Sequence, residues 1–391
     1  MFKRHFGWGL ILILAVAASL QAQFNILYSF RGGTTDGRWP YGSVLVVGST
    51  LYGMTYSAGS SNRGTIFKIN MNGTGYTVLH HFAGGATDGA YPVGALIMKN
   101  SILYGLTTQG GSSGNGTLFR MKTNGSGYKV LHMFAGSPLD GECPDCSLVV
   151  SGSWLYGTTN LGGLADKGTV FRVNLNGTGF KVLRSFAGGT TDGEYPTYST
   201  LRLYNGKLYG MAYAGGANGS GVIYTINLDG TGFKPLHSFG SGTADGQDPC
   251  GSLIVNSGKL YGMTLSGGAG GYGTIFKINP NGTGYARIHS FAGGASDGAY
   301  SYGTLTAGGT KLYGMTNAGG SGNAGVIFEI NTNGTGFKLL HSFVELTETN
   351  GSYPYGSLVR KVTTQYGTRL YGMTRDGGAS GLGVIFFYTV K

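Results

Sequence analysis

The segment "GTIFKINMNGTGY" at residues 64–76 returns almost unchanged as "GTIFKINPNGTGY" at residues 273–285. Each copy alternates β-branched and aromatic residues and then reaches Asn-Gly, a pair that favours the positive φ angles of a tight primed hairpin turn. A single copy would indicate one hairpin. Two copies so far apart indicate a tandem repeat, and the repeat decides the fold.

The tripeptide Leu-Tyr-Gly marks the period of this repeat. Successive copies are 52, 52, 53, 52, 52 and 58 residues apart, and they begin at Leu51, Leu103, Leu155, Leu208, Leu260, Leu312 and Leu370. The chain therefore contains seven units of about 50 residues. Each unit also carries a Gly-x-[ILV]-[FY] pattern and ends in a short segment that closes on phenylalanine, such as "VLHHF" at residues 78–82.

Four short strand patterns occur in each unit, and we name them A, B, C and D in chain order. In the second unit they start at Gly94, Ile102, Gly116 and Tyr128. Short A–B links and Asn-Gly in the C–D links predict antiparallel hairpins. The 77 glycines argue against helices, since each glycine inside a helix costs about 1 kcal/mol. Seven four-stranded units predict an all-β fold, a seven-bladed β-propeller.

The two chain ends complete each other in this pattern. The last unit has its A, B and C patterns and then stops, whereas residues 24–30, "FNILYSF", form an unattached D pattern. In it, Phe24 and Phe30 align with Tyr76 and Phe82. We expect this N-terminal strand to pair with residues 383–389 and close the last blade, which removes an open sheet edge. Residues 23–391 then form a single domain.

Residues 1–22 have the features of a secretory signal peptide. They combine Lys3 and Arg4 with an apolar run at residues 10–18 and small residues near Ala22. We predict that this segment is removed, that no transmembrane span remains, and that the mature protein is secreted, either extracellular or periplasmic. An uncleaved membrane anchor is the alternative, although the apolar run is short for a span.

The chain is basic, with a formal net charge of +11. Much of the excess positive charge lies on the C and D patterns, which are the outer strands of a propeller. Exposure of these strands to solvent at the rim explains the charged residues there. Attraction to anionic envelope polymers is the alternative. An exported chain without a basic cluster is a poor candidate for binding nucleic acid. We expect a monomer without a cofactor.

The residue types that bind metals do not converge in this sequence. Cys143 and Cys146 form "CPDC" without a second cysteine pair or a nearby histidine, so we predict no metal site but a possible disulfide, with two free thiols as the alternative. Six D–A links carry Asp-Gly, at Asp36, Asp88, Asp140, Asp192, Asp245 and Asp297. Each link offers about one carboxylate, which suits a turn better than calcium. The histidines fall once per blade on D patterns, too far apart for one metal or catalytic centre.

The long D–A links and the Gly-rich B–C loops emerge on the same side of the ring, which we call the loop-rich face. Aromatic residues follow Asp-Gly where strand A begins. If strand A is innermost, these rings approach the mouth of the central channel, where they could bind sugars or peptides. Packing between neighbouring blades is the alternative. The candidate ligand-binding residues are Trp39, Tyr41, Tyr91, Tyr195, Asp248, Tyr300, Tyr302, Tyr353 and Tyr355, and the aromatic column is interrupted at Cys143 and Asp248.

The repeat pattern "LYGMTxxGGxxGxGTIFKIN", followed by "NGTGY" and "LHSFAGG", resembles the GloVer tandem repeat of bacterial choice-of-anchor surface proteins. It is more distantly similar to kelch repeats. The resemblance covers residues 24–391 and implies a propeller at a bacterial surface, with no specific activity. No anchor segment follows "GVIFFYTVK" at the end of this sequence, so we expect release or periplasmic residence.

These observations predict an exported binding or scaffolding module that recognises glycans or partner proteins through its loop-rich face. Two other classes stay open. A hydrolase or lyase would use acids such as Glu142, Glu194 and Asp248 on the same face, since glycosidases need paired carboxylates. A purely structural envelope protein would bind no such ligand. We favour binding over catalysis because the sequence contains no Gly-x-Ser-x-Gly nucleophile elbow in a strand-to-helix setting.

Overall fold

The computed structural model describes residues 23–345, 348–364 and 367–390, and all of its regular secondary structure is β. Seven four-stranded antiparallel sheets form a seven-bladed β-propeller, which confirms the predicted fold. The segment at residues 1–22, predicted to be a signal peptide, lies outside the described residues. Nowhere in the described ranges does a helix occur that could cross a membrane.

Each blade contains strands A to D, hydrogen-bonded in that order. For blades 1 to 7, the A strands are Leu45–Val47, Ile97–Lys99, Val149–Ser151, Arg202–Tyr204, Gly246–Asn256, Thr306–Gly308 and Val359–Thr363. The B strands are Thr50–Thr55, Ile102–Thr107, Trp154–Thr159, Lys207–Ala212, Lys259–Gly267, Lys311–Thr316 and Gly367–Thr374. The C strands are Thr65–Asn70, Thr117–Lys122, Thr169–Asn174, Val222–Asn227, Thr274–Ile278, Val326–Asn331 and Val384–Val390.

The D strands of blades 1 to 6 are Thr77–His81, Lys129–Met133, Lys181–Ser185, Lys234–Ser238, Ala286–Ser290 and Lys338–Ser342. Short strand pairs also join each D–A link to the following B–C loop. These pairs are Gly37–Arg38 with Ser57–Ala58, Gly89–Ala90 with Gln109–Gly110, Gly141–Glu142 with Leu161–Gly162, Gly193–Glu194 with Ala214–Gly215, Gly298–Ala299 with Ala318–Gly319, and Gly351–Ser352 with Asp376–Gly377. In blade 5 the same pairing is part of the long A and B strands. The two kinds of loop thus share one face, as predicted.

The N-terminal strand Gln23–Ser29 completes blade 7. It pairs antiparallel with strand C of that blade, with Gln23 opposite Thr389 and Ser29 opposite Val384. The ring of Phe24 stacks on the neighbouring blade's His341 with centroids 4.1 Å apart. The predicted closure of the ring by the two ends of the chain is confirmed.

The C–D hairpin that contains Asn-Gly has the turn structure that its sequence predicts. In blade 1 the side-chain oxygen of Asn72 accepts hydrogen bonds from the amide of Thr74 at 3.1 Å and from its hydroxyl at 2.8 Å. Asp229 makes the same bonds to Thr231 in blade 4. This local bonding explains why Asn-Gly-Thr recurs in the C–D links.

The Leu-Tyr-Gly column reflects packing inside each blade. Gly53 lies opposite Phe67 across strands B and C, and a Cβ on Gly53 would come within 2.5 Å of the Phe67 ring. Leu51 and Phe67 are both fully buried, in a cluster with Tyr371 and Ile385 of blade 7. The hydrophobic core therefore lies between neighbouring blades, and glycine is required where the aromatic ring crosses strand B.

A repeated set of side chains also joins neighbouring blades, and we call it the seam clamp. In the seam between blades 1 and 2, Asp88 Oδ2 accepts from His80 Nε2 at 3.3 Å and from the Ala83 amide at 2.8 Å. Asp88 Oδ1 accepts from the Gly89 amide at 2.7 Å and from the Tyr128 hydroxyl of the next blade at 2.6 Å. Burial alone would raise the pKa of Asp88, but these hydrogen bonds outweigh it and lower the pKa.

The other seams use the same positions. Their members are Tyr28, Asp36 and Tyr76; His132, Asp140 and Phe180; Arg184, Asp192 and Phe233; His237, Asp245 and Tyr285; His289, Asp297 and Phe337; and His341, Asn350 and Phe24. The turn interpretation of the Asp-Gly pairs is therefore correct but incomplete, because these residues also connect blades. Their oxygens are occupied by N–H and O–H donors, which leaves calcium binding without support.

Candidate functional site

Seven residues at the mouth of the channel, one per blade, share an unusual backbone conformation. We call them the mouth column: Trp39, Tyr91, Cys143, Tyr195, Asp248, Tyr300 and Tyr353. Their φ angles lie between 51° and 58°, in the left-handed region that costs a residue with a Cβ about 1–2 kcal/mol. Such conformations persist where the surroundings impose them, and they cluster at functional sites.

Main-chain hydrogen bonds impose this conformation. The amide of Tyr91 donates to the carbonyl of Arg63 in the B–C loop of the preceding blade, at 2.9 Å. The carbonyl of Tyr91 accepts from the amide of Thr108 in its own blade, at 3.3 Å. The backbone of Tyr91 thus links two blades, in agreement with the alternative of packing between neighbouring blades. Its side chain stays half-exposed on the loop-rich face.

Below the mouth column, the channel is held together by a hydroxyl ring. In six blades a main-chain amide donates to the serine or threonine hydroxyl of the next blade at 2.7–3.0 Å, the donors being Ala95, Ser147, Thr200, Ser252, Thr304 and Ser357. The seventh bond is missing, because the acceptor position for the Ser43 amide is Ala95, whose side chain has no hydroxyl group. The ring also requires close backbone approach, since a Cβ on Gly42 would lie 2.3 Å from the Gly94 carbonyl oxygen.

The residues just above the hydroxyl ring form the channel column, which is Tyr41, Val93, Asp145, Tyr198, Cys250, Tyr302 and Tyr355. Together with the ring residues, most of them line a central cavity of about 60 Å³. This volume holds a few waters and is far below the roughly 300–1,000 Å³ of typical ligand pockets. A sugar ring or a peptide segment therefore does not fit inside this cavity.

A continuous tyrosine arc runs around part of the mouth. Ring centroids are 5.0 Å apart for Tyr91 and Tyr56, 5.2 Å for Tyr56 and Tyr41, and 4.8 Å for Tyr41 and Tyr355. The arc continues from Tyr355 to Tyr302 at 4.6 Å and from Tyr302 to Tyr198 at 5.9 Å. All six rings are half-buried, so the arc presents aromatic surface to solvent on one side of the mouth.

Basic side chains accompany the aromatic residues of the mouth column. Guanidinium or ammonium groups lie over the rings of Trp39, Tyr91, Tyr195 and Tyr353, contributed by Arg38, Arg63, Lys167 and Arg375 at 4.2, 5.9, 5.8 and 5.6 Å. Arg375 also pairs with Asp376. These stacks hold the rings in place by cation–π attraction.

The opposite side of the mouth, on blade 3, is acidic and carries two cysteines. Burial and, to a lesser extent, the carboxylates of Glu142, Asp145 and Asp166 together raise the pKa of Cys143 to about 11. Burial also raises the pKa of Cys146 to about 12. All three cysteines are free thiols, so the possible disulfide between Cys143 and Cys146 is not formed in the structure. The Cys146 thiol instead donates to the Thr158 carbonyl at 3.2 Å.

The structure divides the predicted site residues into two groups. Tyr41, Tyr302 and Tyr355 are brought into direct contact in the tyrosine arc, and Tyr91 reaches them through Tyr56. Four others stand apart around the rim, each with its own neighbours: Trp39, Tyr195, Asp248 and Tyr300. Tyr353 is linked to the arc through Arg375, which lies 5.6 Å from both Tyr353 and Tyr355. Asp248 accepts a hydrogen bond from Ser266.

Four residues of the mouth were missed by sequence reasoning. They are Tyr56, Asp145, Tyr198 and Arg375. A signal existed for Tyr56 and Arg375, because the position after the nearly constant "LYGMT" pattern varies between blades: Tyr56, Thr108, Asn160, Tyr213, Leu265, Asn317 and Arg375. Tyr198 and Asp145 occupy the equally variable channel column. Within the described ranges, no group of three or more potential metal-ligating side chains is found.

Comparisons with known proteins give a family and a fold. A family model described as "Gloeobacter/Verrucomicrobia repeat" matches residues 3–205 and 162–386. No curated protein matches this sequence significantly.

Two solved structures are similar over nearly the whole chain. An oligogalacturonate lyase from Vibrio parahaemolyticus shares 10% identity at a TM-score of 0.59, covering 96% of this chain and 95% of that one. An oligogalacturonate lyase in complex with manganese shares 12% identity at a TM-score of 0.57, covering 95% and 96%. At such low identity these likenesses show the propeller fold alone.

Proposed function

This chain belongs to the Gloeobacter/Verrucomicrobia repeat family, and from that premise we propose that it is an exported binding module. Its ligands are glycans or partner proteins, bound on the loop-rich face. Export is part of the proposal and rests on the signal-peptide pattern of residues 1–22. The extracellular or periplasmic residence, the monomeric state and the kinship with choice-of-anchor and kelch repeats belong to the same proposal.

One observation carries the proposal: the mouth column keeps bulky side chains where glycine would cost less. Five of its seven residues are Trp or Tyr, all with φ above 50°. Many other positions of this chain with positive φ are glycine, including Gly32 and Gly84 in the same D–A links. Backbone strain that holds half-exposed aromatic rings around a mouth is expected where the rings contact a ligand.

The shape of the mouth supports a ligand that lies across the face. The narrow channel excludes a sugar ring, whereas the tyrosine arc offers a shallow aromatic surface. Aromatic faces bind sugars and peptides through their apolar area, and the adjacent arginines supply hydrogen-bond donors.

Two tryptophans provide a matched test of the binding face. Trp39 stacks under Arg38 at 4.2 Å on the loop-rich face, and Trp154 stacks under Arg172 at 4.4 Å at the start of strand B, on the opposite face. Residues 23–391 are applied to glycan and peptide arrays as wild type, W39A, Y353A and W154A. We expect W39A and Y353A to lose at least tenfold in affinity for any ligand found, and W154A to bind as wild type.

Equal losses in W39A and W154A would contradict the assignment of the face. A wild-type protein that binds nothing on either array would favour the purely structural envelope role instead.

A hydrolase or lyase is the second candidate, and one observation favours it. Burial raises the pKa of Asp145 to about 7, which is the range of a general acid or base at neutral pH. Asp248 would have to supply the second carboxyl group. The test is the release of reducing or unsaturated ends from polysaccharides by wild type and D145N. Turnover that D145N abolishes would establish catalysis in place of simple binding.

A further inference from the structure

Asp145 is exceptional among the residues that line the central cavity. It is the one charged side chain in this lining as far as the described residues go, and it is only 8% exposed. The corresponding residues of the other blades are Tyr41, Val93, Tyr198, Cys250, Tyr302 and Tyr355. A single carboxyl group therefore interrupts a column of aromatic, aliphatic and thiol side chains.

The carboxyl group of Asp145 is incompletely satisfied. Its Oδ1 accepts one hydrogen bond from the Tyr198 amide at 3.2 Å. The main-chain amide of Asp145 itself also stabilises the carboxylate. Across the described part of the chain, no side-chain donor is hydrogen-bonded to Asp145 and no basic side chain forms an ion pair with it. Burying a carboxylate without a counter-charge is costly, so a buried carboxylate that lines a cavity is a candidate for binding a positively charged group.

The surroundings of Asp145 favour a cation that donates hydrogen bonds. Six main-chain amides around the channel are already bonded within the hydroxyl ring, so they offer nothing to an anion. What remains is the Asp145 carboxylate and the aromatic surface of Tyr41, Tyr302 and Tyr355. The Arg375 guanidinium, which is paired with Asp376, already lies over the Tyr355 ring at 5.6 Å. Ring faces attract ammonium groups, most strongly where water is excluded.

We propose that the inner end of the mouth binds a primary ammonium group on an unbranched alkyl stem, with Asp145 as its counter-ion and the tyrosine arc around the stem. The cavity of about 60 Å³ admits such a slender group and excludes a sugar ring. A lysine side chain of a partner protein has this chemistry. The inference rests on the proposed binding function and names one ligand class for it.

The first test uses n-butylammonium, which reproduces the lysine side chain, titrated by calorimetry into residues 23–391 at pH 8. We expect saturable binding, and no binding of the uncharged n-butanol. D145N should lower the affinity at least tenfold. The matched control is D229N, on a C–D turn of the opposite face, where five other blades already have asparagine. D229N should bind as wild type.

A second measurement does not depend on any variant. Between pH 8 and pH 5 the probe keeps its charge, whereas the Asp145 carboxyl takes up a proton. The other titratable groups that interact with Asp145 are Tyr198, Cys143, Cys146 and Cys250, whose pKa values are all raised, so they stay neutral over this range. Wild-type affinity for n-butylammonium should therefore fall at least fivefold at pH 5.

Two results would overturn the inference: no saturable binding of n-butylammonium at pH 8, or binding of equal strength in D145N and at pH 5. Array ligands that depend on Trp39 would in either case leave the proposed binding face standing. Failure of the inference is thus distinguishable from failure of the proposed function.

Discussion

The seam clamp and the mouth column lie three residues apart in the same D–A links, yet they behave in opposite ways across the seven blades. The seam position is aspartate in six blades and asparagine in the seventh, whereas the mouth position is tryptophan, tyrosine, cysteine or aspartate. The seam must join two blades at every junction, so every copy meets the same packing demand. The mouth faces solvent, so its copies are free to differ.

The same contrast appears in two aspartates. In the seam, hydrogen bonds from His80, Ala83 and Tyr128 outweigh burial and lower the pKa of Asp88. In the channel, burial dominates and raises the pKa of Asp145 from 3.8 to about 7, because its hydrogen bonds to main-chain amides are too few to compensate. Saturation with donors marks the structural carboxylate, and its absence marks the candidate binding residue.

The largest expected effect comes from removing residues 23–30, which supply strand D of blade 7. The deletion uncovers the edge of strand Val384–Val390 and the aromatic packing around Phe24. We expect the cooperative unfolding transition to disappear, because the deletion should remove most of the free energy of unfolding, which is roughly 5–15 kcal/mol for a domain. Calorimetry and size-exclusion chromatography measure it against a chain that starts at Gln23. An unchanged thermal transition would contradict the ring closure.

The next effect comes from opening one seam. D88A leaves the amides of Ala83 and Gly89 and the hydroxyl of Tyr128 without their acceptor. Because each buried unsatisfied donor costs about 1–3 kcal/mol, we expect a destabilisation of about 3–5 kcal/mol in chemical denaturation. T87A, at the exposed preceding residue, should change the stability by less than about 0.5 kcal/mol. Similar losses in both variants would show that the seam carboxylate is not special.

Completing the hydroxyl ring should have a smaller effect with the opposite sign. A95S places a hydroxyl where the Ser43 amide lacks one, and a net hydrogen bond contributes about 0.5–1.5 kcal/mol. We expect A95S to raise the free energy of unfolding by this amount, and S147A, which removes the bond from the Ala95 amide, to lower it similarly. A destabilised A95S would show that the ring cannot take a seventh bond.

The smallest expected effect on stability is at the mouth itself. Y91G relieves the backbone strain at φ 57°, which stabilises the folded state by about 1 kcal/mol. It also removes the ring contacts and raises the entropy of the unfolded chain, and these effects destabilise the folded state by about 1 kcal/mol each. The free energy of unfolding should therefore change by less than about 1 kcal/mol, while affinity for any array ligand falls. A loss of stability as large as that of D88A would place Tyr91 among the structural residues.

Periodicity explains how much of this molecule was predictable. The blades, the two faces and the closure by residues 24–30 follow from local patterns that repeat seven times. The seam clamp was also within reach, because its aspartate follows the histidine by 8 residues and precedes the next blade's tyrosine by 40. Three features could not be predicted, because they depend on how closely the blades approach one another around the ring axis. They are the backbone strain of the mouth column, the hydroxyl ring and the burial of Asp145, which lies in the polar sequence "CPDC".

The most direct test of this account is one substitution made in both regions, D88N in the seam and D145N in the channel, with the free energy of unfolding measured at pH 8 and pH 4. The lowered pKa of Asp88 stabilises the folded state at pH values above 3.8, the pKa of the carboxyl group in the unfolded chain. The raised pKa of Asp145 destabilises the folded state progressively as the pH rises from 3.8 towards 7. At pH 8 we predict that D88N is less stable than wild type by about 1–3 kcal/mol, and that D145N is more stable by up to about 4 kcal/mol. At pH 4 the gain in D145N should nearly vanish. Equal losses in both variants at pH 8 would contradict the division into a structural seam and a binding mouth.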